Sequence, residues 1–322
     1  MNKFPITEIE DQAGERALLE GALALDRYLA GYLGPAWQGL RDNIGRLPES
    51  GGYSKHLCHF YLLAVAASKL AQAPRAGDSP ALLDLGRPFR SSGHVALPRA
   101  AGSLSLLLAH ASIESDLSAA WHPSWKIGKL SAFEAVDQCI SDQISDALRL
   151  IEASSETSAR MVSALCSEIC LLDSRGTVGN GSAISMTSRI VPGLIYFTPA
   201  SVLLTAESIV HEVAHLWLSR HEAGRALYVD PNRLVPSPLR TDPRPLSGLT
   251  HQVWVLSNLV PYYFNLLQVA DPIVARNKEK ITKRLAQHQS DLQSGLNTIR
   301  NNAGGLSDLG KELLSRIVAA NG

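Results

Sequence analysis

The sequence predicts an α+β fold: a mostly helical single domain with a small antiparallel sheet packed on a helix that carries an H-E-x-x-H motif. Apolar residues recur at three- and four-residue spacing in several long segments, which is typical of amphipathic helices. Between residues 165 and 197 they form short β-favouring runs separated by turn signals. The 322 residues contain no internal repeat, low-complexity linker or clean domain boundary. One domain is therefore the simplest arrangement.

Composition excludes several classes of protein. Lysine and arginine total 30, as do aspartate and glutamate, so the chain has no basic surface for nucleic acid or an anionic membrane. No apolar run approaches the roughly 20 residues that span a bilayer, and the N-terminus lacks a signal-peptide pattern. Four cysteines are too few for a secreted disulfide framework. We expect a cytoplasmic protein that binds neither nucleic acid nor membrane; the sequence does not indicate its oligomeric state.

The first part of the chain, about residues 1–153, is predicted to be mainly helical. Its predicted helices have apolar stripes and cover residues 13–33, 54–73 and 132–153. Short strands are predicted at residues 94–98 and 103–109.

The core, about residues 160–270, begins with β-favouring runs at 165–172, 183–188 and 194–197. Val191-Pro192-Gly193 is one of two strong turn signals between them. The motif helix follows, and five prolines between positions 231 and 245 then predict a loop. An apolar helix is predicted at about 249–269, bent at Pro261. Two polar helices, about 272–299 and 307–320, close the chain.

The motif is His211-Glu212-Val213-Ala214-His215. An apolar stripe flanks it, so we predict a helix without interruption. On this helix the two histidines lie one turn apart, about 40° from each other around the axis. Imidazoles in this arrangement can bind one divalent metal ion, with Glu212 beside it.

A catalytic metal of this kind takes a third protein ligand, and the residues alone leave three candidates. His221 has the metzincin spacing, but Leu218 stands where that pattern needs glycine for a sharp turn. A carboxylate could come only from Glu222, Asp230 or Asp242 before the next helix ends. His251 begins that helix after a rigid proline-rich segment, and could equally be a core histidine.

The segment from Ser237 to His251 reads S-P-L-R-T-D-P-R-P-L-S-G-L-T-H. Together with the first motif it resembles the HExxH-motif peptide-modification family of iron- and 2-oxoglutarate-dependent peptide β-hydroxylases, which act on ribosomally synthesised precursor peptides. The resemblance covers about residues 191–267 and is diffuse upstream. It implies a free-standing enzyme, because the chain lacks a cysteine triplet for an iron–sulfur cluster.

The resemblance also implies that His211, His215 and His251 bind Fe(II), and that Arg240 or Arg244 binds the distal carboxylate of 2-oxoglutarate. Three histidines would leave positions for 2-oxoglutarate and for O2, and a guanidinium matches a carboxylate bidentately. Such an enzyme would hydroxylate a side-chain β-carbon of a precursor peptide in natural-product biosynthesis.

Glu212 separates this hypothesis from its alternatives. In a zinc metallopeptidase of HExxH type it would be the general base that activates the metal-bound water. An oxygenase has no such need, so Glu212 would instead orient a ligand or a water. A third hypothesis is a non-catalytic peptide-binding protein with a structural metal site.

Overall fold

The computed structural model describes scattered positions between 19 and 30, then residues 131–132, 138–166, 168–173, 185–187, 193–198, 200–237 and 241–321. The scattered positions are helical, as predicted for residues 13–33. The predicted helix 54–73 and strands 94–98 and 103–109 lie outside the described residues.

The chain divides into two compact units. The helical unit contains Met1–Gly14, Gln143–Ala164 and Ser201–Gly322, and the sheet unit contains Glu15–Asp142 and Leu165–Ala200. The prediction of a single domain, and that of a sheet packed on the motif helix, stay predictions.

The described part of the sheet unit contains a four-stranded mixed sheet. Its strands are β1 (Ser131–Ala132), β2 (Glu168–Asp173), β3 (Ser185–Thr187) and β4 (Leu194–Phe197), in the order β1-β2-β4-β3. Strand β1, which pairs antiparallel with β2, was not predicted. The β3–β4 pair is antiparallel, as predicted, but β2 and β4 are parallel. The difference arises because β4 lies between β2 and β3, an order that local sequence patterns cannot specify.

Strand β4 has the apolar run expected of a central strand. All four of its residues are buried, and it has a hydrogen-bonded neighbour on each side. The turn before it requires glycine, because Gly193 has a φ of 82°, in the left-handed region that other residues rarely adopt.

Seven α-helices contribute to the described part of the helical unit, together with one β-pair. They are α1 (Gln138–Ser154), α2 (Glu156–Leu165), α3 (Val202–Gly224), α4 (Leu246–Leu266), α5 (Pro272–Arg276), α6 (Lys278–Asn301) and α7 (Asp308–Asn321), with β5 (Leu234–Val235) pairing antiparallel with β6 (Arg244–Pro245). The described part of the chain is therefore mostly helical with a small β component, in agreement with an α+β class. No described helix has both the length and the hydropathy needed to cross a membrane.

Several helix bounds differ from the predictions. Helix α1 begins at Gln138 rather than at 132, because residues 131–132 pair as β1, and α4 covers Leu246–Leu266 rather than 249–269.

Short polar side chains account for two further differences. Helix α2 was not predicted; the hydroxyl of Ser155 caps it by accepting a hydrogen bond from the Ser158 amide (3.0 Å). The predicted helix 272–299 is divided at Asn277, whose side chain donates to the carbonyl oxygen of Ile273 (2.8 Å). Asp271 caps α5 by accepting from the Ile273 amide.

Helix α4 is the centre of the helical unit and packs against α3, α6 and α7. Its side chains are buried from Val253 to Tyr263, as expected for a helix that is apolar on most of its surface. Pro261 lies inside the helix, which continues through it to Leu266. The side chain of Trp254 stacks on that of Trp217 from α3, with ring centroids 4.2 Å apart, and its Nε1–H donates to the carbonyl oxygen of Ala214 (2.9 Å).

A buried carboxylate also joins three of these helices. Glu207 of α3 accepts hydrogen bonds from Tyr263 of α4 and Arg284 of α6, and His288 Nε2 lies 3.5 Å from its Oε1. Burial alone would raise the pKa of Glu207, but hydrogen bonds from His288, Arg284 and Tyr263 and the charge of Arg284 outweigh it and lower the pKa to about 2. Glu207 lies one turn before His211, so this cluster fixes α3 close to the motif.

We expect this cluster to make the protein sensitive to acid. Because the pKa of Glu207 is 4.5 when unperturbed and about 2 in the folded chain, ionised Glu207 contributes stability that is present above pH 4.5. This stability is lost as the pH falls towards 2, and amounts to roughly 3 kcal/mol. Urea unfolding of the wild type and of Glu207→Gln between pH 7 and pH 2 checks this. The difference between their free energies of unfolding should become smaller below pH 4.5. A difference that stays constant from pH 7 to pH 2 would contradict this prediction.

Candidate metal site

Helix α3 presents the motif as predicted. It runs without interruption from Val202 to Gly224, so His211 and His215 lie on one side of it, one turn apart. The side chain of His211 is 39% exposed, whereas that of Glu212 is only 2% exposed. The motif therefore has an accessible histidine next to a buried carboxylate.

The loop after α3 is held firmly against the C-terminal helices. Val229 N donates to the carbonyl oxygen of Gly305 (2.9 Å), and Ser307 N donates to that of Leu227 (3.0 Å). A β-carbon on Gly310 would overlap this same Leu227 oxygen, so the loop packs directly on the backbone of α7.

The same loop also fixes the start of α4. The first helical amides have no partner within a helix; here Leu246 N donates to the carbonyl oxygen of Arg233 (2.8 Å), and Ser247 N donates to that of Pro231 (3.2 Å). The β5–β6 pair closes the loop beside these contacts. The first turns of α4, which carry His251, are therefore held in a fixed position.

His251 meets His215 across the groove between α3 and α4. Their Nδ1 atoms are 3.4 Å apart, and the rings are stacked with centroids 5.6 Å apart. Two imidazole nitrogens that are each about 2.1 Å from one metal ion would be about 3.0 Å apart at an octahedral angle and about 3.4 Å at a tetrahedral one. The separation of the two nitrogens is therefore compatible with a shared metal ion, and equally with a hydrogen bond between the two imidazoles.

His211 is near this pair but is not joined to it. Its ring centroid is 5.0 Å from that of His215, and its Nε2 lies 3.8 Å from Oε1 of Glu212, beyond hydrogen-bond distance. Within the described ranges, no three or more histidine, cysteine, aspartate or glutamate side chains are grouped so that they could hold a metal ion. The structure thus brings together two of the three predicted ligands.

The side chain of His221, the metzincin-like candidate, packs on Trp217 and not beside the motif histidines. Its ring stacks on that of Trp217 with centroids 3.5 Å apart. Its Nδ1 lies 2.9 Å from the Trp217 carbonyl oxygen, which can only accept, so Nδ1 carries the proton. Because α3 continues past Leu218, no turn brings His221 back to the motif histidines.

Glu222, one of the candidate carboxylates, contacts His251 from the side opposite His215. Its Oε1 is 2.8 Å from His251 Nε2 and accepts a hydrogen bond from the Tyr228 hydroxyl (2.9 Å). Burial raises the pKa of Tyr228, and the charge of Glu222 raises it further, so this hydroxyl remains a donor. The sequence offered Glu222 only as a metal ligand, because a contact 29 residues along the chain depends on the path of the loop.

Of the two candidate arginines, the structure describes only Arg244; Arg240 lies outside the described residues. The Nη1 of Arg244 donates to Oε1 of Gln252 (3.0 Å), and its guanidinium lies over Gly248, since a β-carbon there would be 3.8 Å from Nε. Gly248 and Gln252 are one turn apart on α4. The side chain of Arg244 therefore packs against the first turns of the helix that carries His251.

The comparisons with known proteins add no further assignment. No family model matches this sequence, and no curated protein matches it. The resemblance to HExxH-motif peptide hydroxylases stays a prediction carried by the residues themselves.

Proposed function

We propose that this protein is an Fe(II)- and 2-oxoglutarate-dependent oxygenase that β-hydroxylates a residue of a ribosomally synthesised precursor peptide. The observation that carries the proposal is the 3.4 Å separation of the Nδ1 atoms of His215 and His251. These residues are 36 positions apart and lie on different helices, and their ring nitrogens are close enough together to bind one ion.

His211 would complete the set of ligands. Rotation about its side-chain bonds would bring a ring nitrogen towards the pair, and its 39% exposure leaves room for this movement. Three neutral imidazoles would leave the double charge of Fe(II) uncompensated, which favours an anionic co-substrate. Bound iron supplies the activation of O2, coupled to oxidation of 2-oxoglutarate.

The other residues of the site would bind 2-oxoglutarate and orient the metal ligands. Arg244 is in β6 and its side chain packs against the first turns of the helix that carries His251. Its guanidinium can bind a carboxylate bidentately if its hydrogen bond to Gln252 is released. We therefore favour Arg244 over Arg240 for the distal carboxylate of 2-oxoglutarate. The firmly held loop between α3 and α4 keeps these groups in register.

The position of Glu212 favours an oxygenase over a zinc metallopeptidase. A general base must reach the metal-bound water, but the side chain of Glu212 is almost fully buried. A buried carboxylate beside His211 is better suited to orienting that histidine.

The decisive experiment is an anaerobic reconstitution with Fe(II), followed by 2-oxoglutarate, O2 and a candidate precursor peptide. We expect succinate to form and the peptide to gain one oxygen atom. A zinc metallopeptidase would instead cleave the peptide with Zn(II) in the absence of 2-oxoglutarate and O2. This cleavage should be lost in Glu212→Gln. Retention of the peptide with neither reaction would indicate a binding protein.

Arg244→Lys should weaken binding of 2-oxoglutarate more than Arg240→Lys does. Lysine keeps the charge but loses the bidentate geometry, so we expect the KM for 2-oxoglutarate to rise roughly 10- to 100-fold, the effect of losing a charge-assisted hydrogen bond. The measurement is succinate formation at varied 2-oxoglutarate. A rise confined to Arg240→Lys would assign the role to Arg240.

A further inference from the structure

The pair formed by Glu222 and His251 determines which nitrogen of His251 is available to a metal. Glu222 Oε1 is 2.8 Å from His251 Nε2, and an ionised carboxylate can only accept hydrogen bonds. Nε2 must therefore carry a proton. A neutral imidazole has one protonated nitrogen, so Nδ1 has a lone pair that can accept a hydrogen bond from His215 or bind a metal ion.

That lone pair lies on the side of His215. The two nitrogens of an imidazole point in diverging directions, and the distances agree: Glu222 is next to Nε2, and His215 Nδ1 is 3.4 Å from Nδ1 of His251. Glu222 and His215 thus lie on opposite sides of the His251 ring. This geometry excludes Glu222, as placed, from sharing a metal ion with His215.

Glu222 is itself held in place. The Tyr228 hydroxyl donates to the same Oε1 (2.9 Å), and Tyr228 makes a β-bridge with Leu306 beside α7. The side chains of Glu222 and His251 are 28% and 22% exposed, so the contact is partly shielded from water. A carboxylate that is fixed in this way can hold an imidazole in one tautomer and one orientation.

We propose that Glu222, anchored by Tyr228, is a positioning residue that fixes the tautomer and orientation of His251, so that His251 presents Nδ1, and not Nε2, to a metal ion shared with His215. The inference rests on the metal site of the proposed function, but not on the reaction catalysed there. It concerns the atom that binds and the group that orients it.

The test measures Fe(II) affinity under anaerobic conditions, by competition with a chromophoric chelator, in the wild type and in variants of the full chain. In Glu222→Ala we expect affinity to fall 10- to 100-fold, as is typical when a group that orients a ligand is removed. Glu222→Gln, whose amide oxygen can still accept from Nε2–H, should retain more of the affinity than Glu222→Ala. In a chain with Nδ1-methylhistidine in place of His251, affinity should fall as far as in His251→Ala, because the methyl group blocks the binding nitrogen.

The possible results distinguish a failure of this inference from a failure of the proposed metal site. If His251→Ala loses Fe(II) but the Nδ1-methylated chain keeps it, the metal site stands and the inference is overturned. The inference is also overturned if Glu222→Ala binds Fe(II) as tightly as the wild type while His251→Ala loses the metal. If His251→Ala binds Fe(II) as tightly as the wild type, both the metal site and the inference fail. His221→Ala serves as the control, and should leave affinity unchanged.

Discussion

Replacing His251 with alanine should weaken Fe(II) binding by more than about 100-fold and abolish hydroxylation. Removing a ligand costs more than removing the group that orients it, which typically costs 10- to 100-fold in metal affinity. His251 reaches His215 from another helix, and no other described histidine comes as close to that ring from outside α3. Equilibrium competition for Fe(II), together with succinate formation, measures both effects.

His221→Ala is the control for this prediction. His221 is on the same helix as the motif and has the metzincin spacing, but its ring is stacked on Trp217. We expect its replacement to leave Fe(II) affinity within about twofold of the wild type, well below the effect of losing a ligand. Loss of the metal in His221→Ala, with retention in His251→Ala, would reverse the assignment of the third ligand.

Replacing Trp254 with alanine should have the largest effect on stability, reducing the free energy of unfolding by roughly 3–5 kcal/mol. The side chain is fully buried, stacks on Trp217 and donates a hydrogen bond to the Ala214 carbonyl oxygen. Truncation would remove this stacked contact between α3 and α4 and leave a cavity beside the motif. Urea denaturation monitored by circular dichroism measures the loss.

Trp254→Phe separates the contribution of ring packing to stability from that of the hydrogen bond. Phenylalanine keeps an aromatic surface against Trp217 but cannot donate to Ala214, so we expect a smaller loss of about 1–2 kcal/mol. A loss in Trp254→Ala below about 1 kcal/mol, a value typical of surface positions, would mean that the α3–α4 packing does not depend on this residue.

The helices were predictable where local patterns determine them. The apolar stripe around the motif predicts α3, and the structure shows it running without interruption to Gly224. The β-favouring runs around 165–197 correspond to β2, β3 and β4. The parallel pairing of β2 with β4 could not be predicted, because the order of strands in a sheet depends on contacts distant in sequence.

The candidate site was predictable only in part, for the same reason. Residue spacing gives the relation between His211 and His215, and leaves His251 undecided between a ligand and a core histidine. Its position near His215 depends on the loop that Gly305 and Leu227 anchor to the C-terminal helices. The contact of Glu222 with His251 depends on the same loop, so local patterns could not predict it.

X-ray absorption spectroscopy of the Fe(II)-loaded protein tests the central claim most directly, because it counts the imidazoles bound to the metal. We expect the wild type to show three imidazole nitrogens at about 2.1 Å, and His211→Ala, His215→Ala and His251→Ala each to show one fewer in whatever metal they retain. An unchanged imidazole count in His251→Ala, or iron bound without imidazoles in the wild type, would contradict the convergence of the three histidines on one ion.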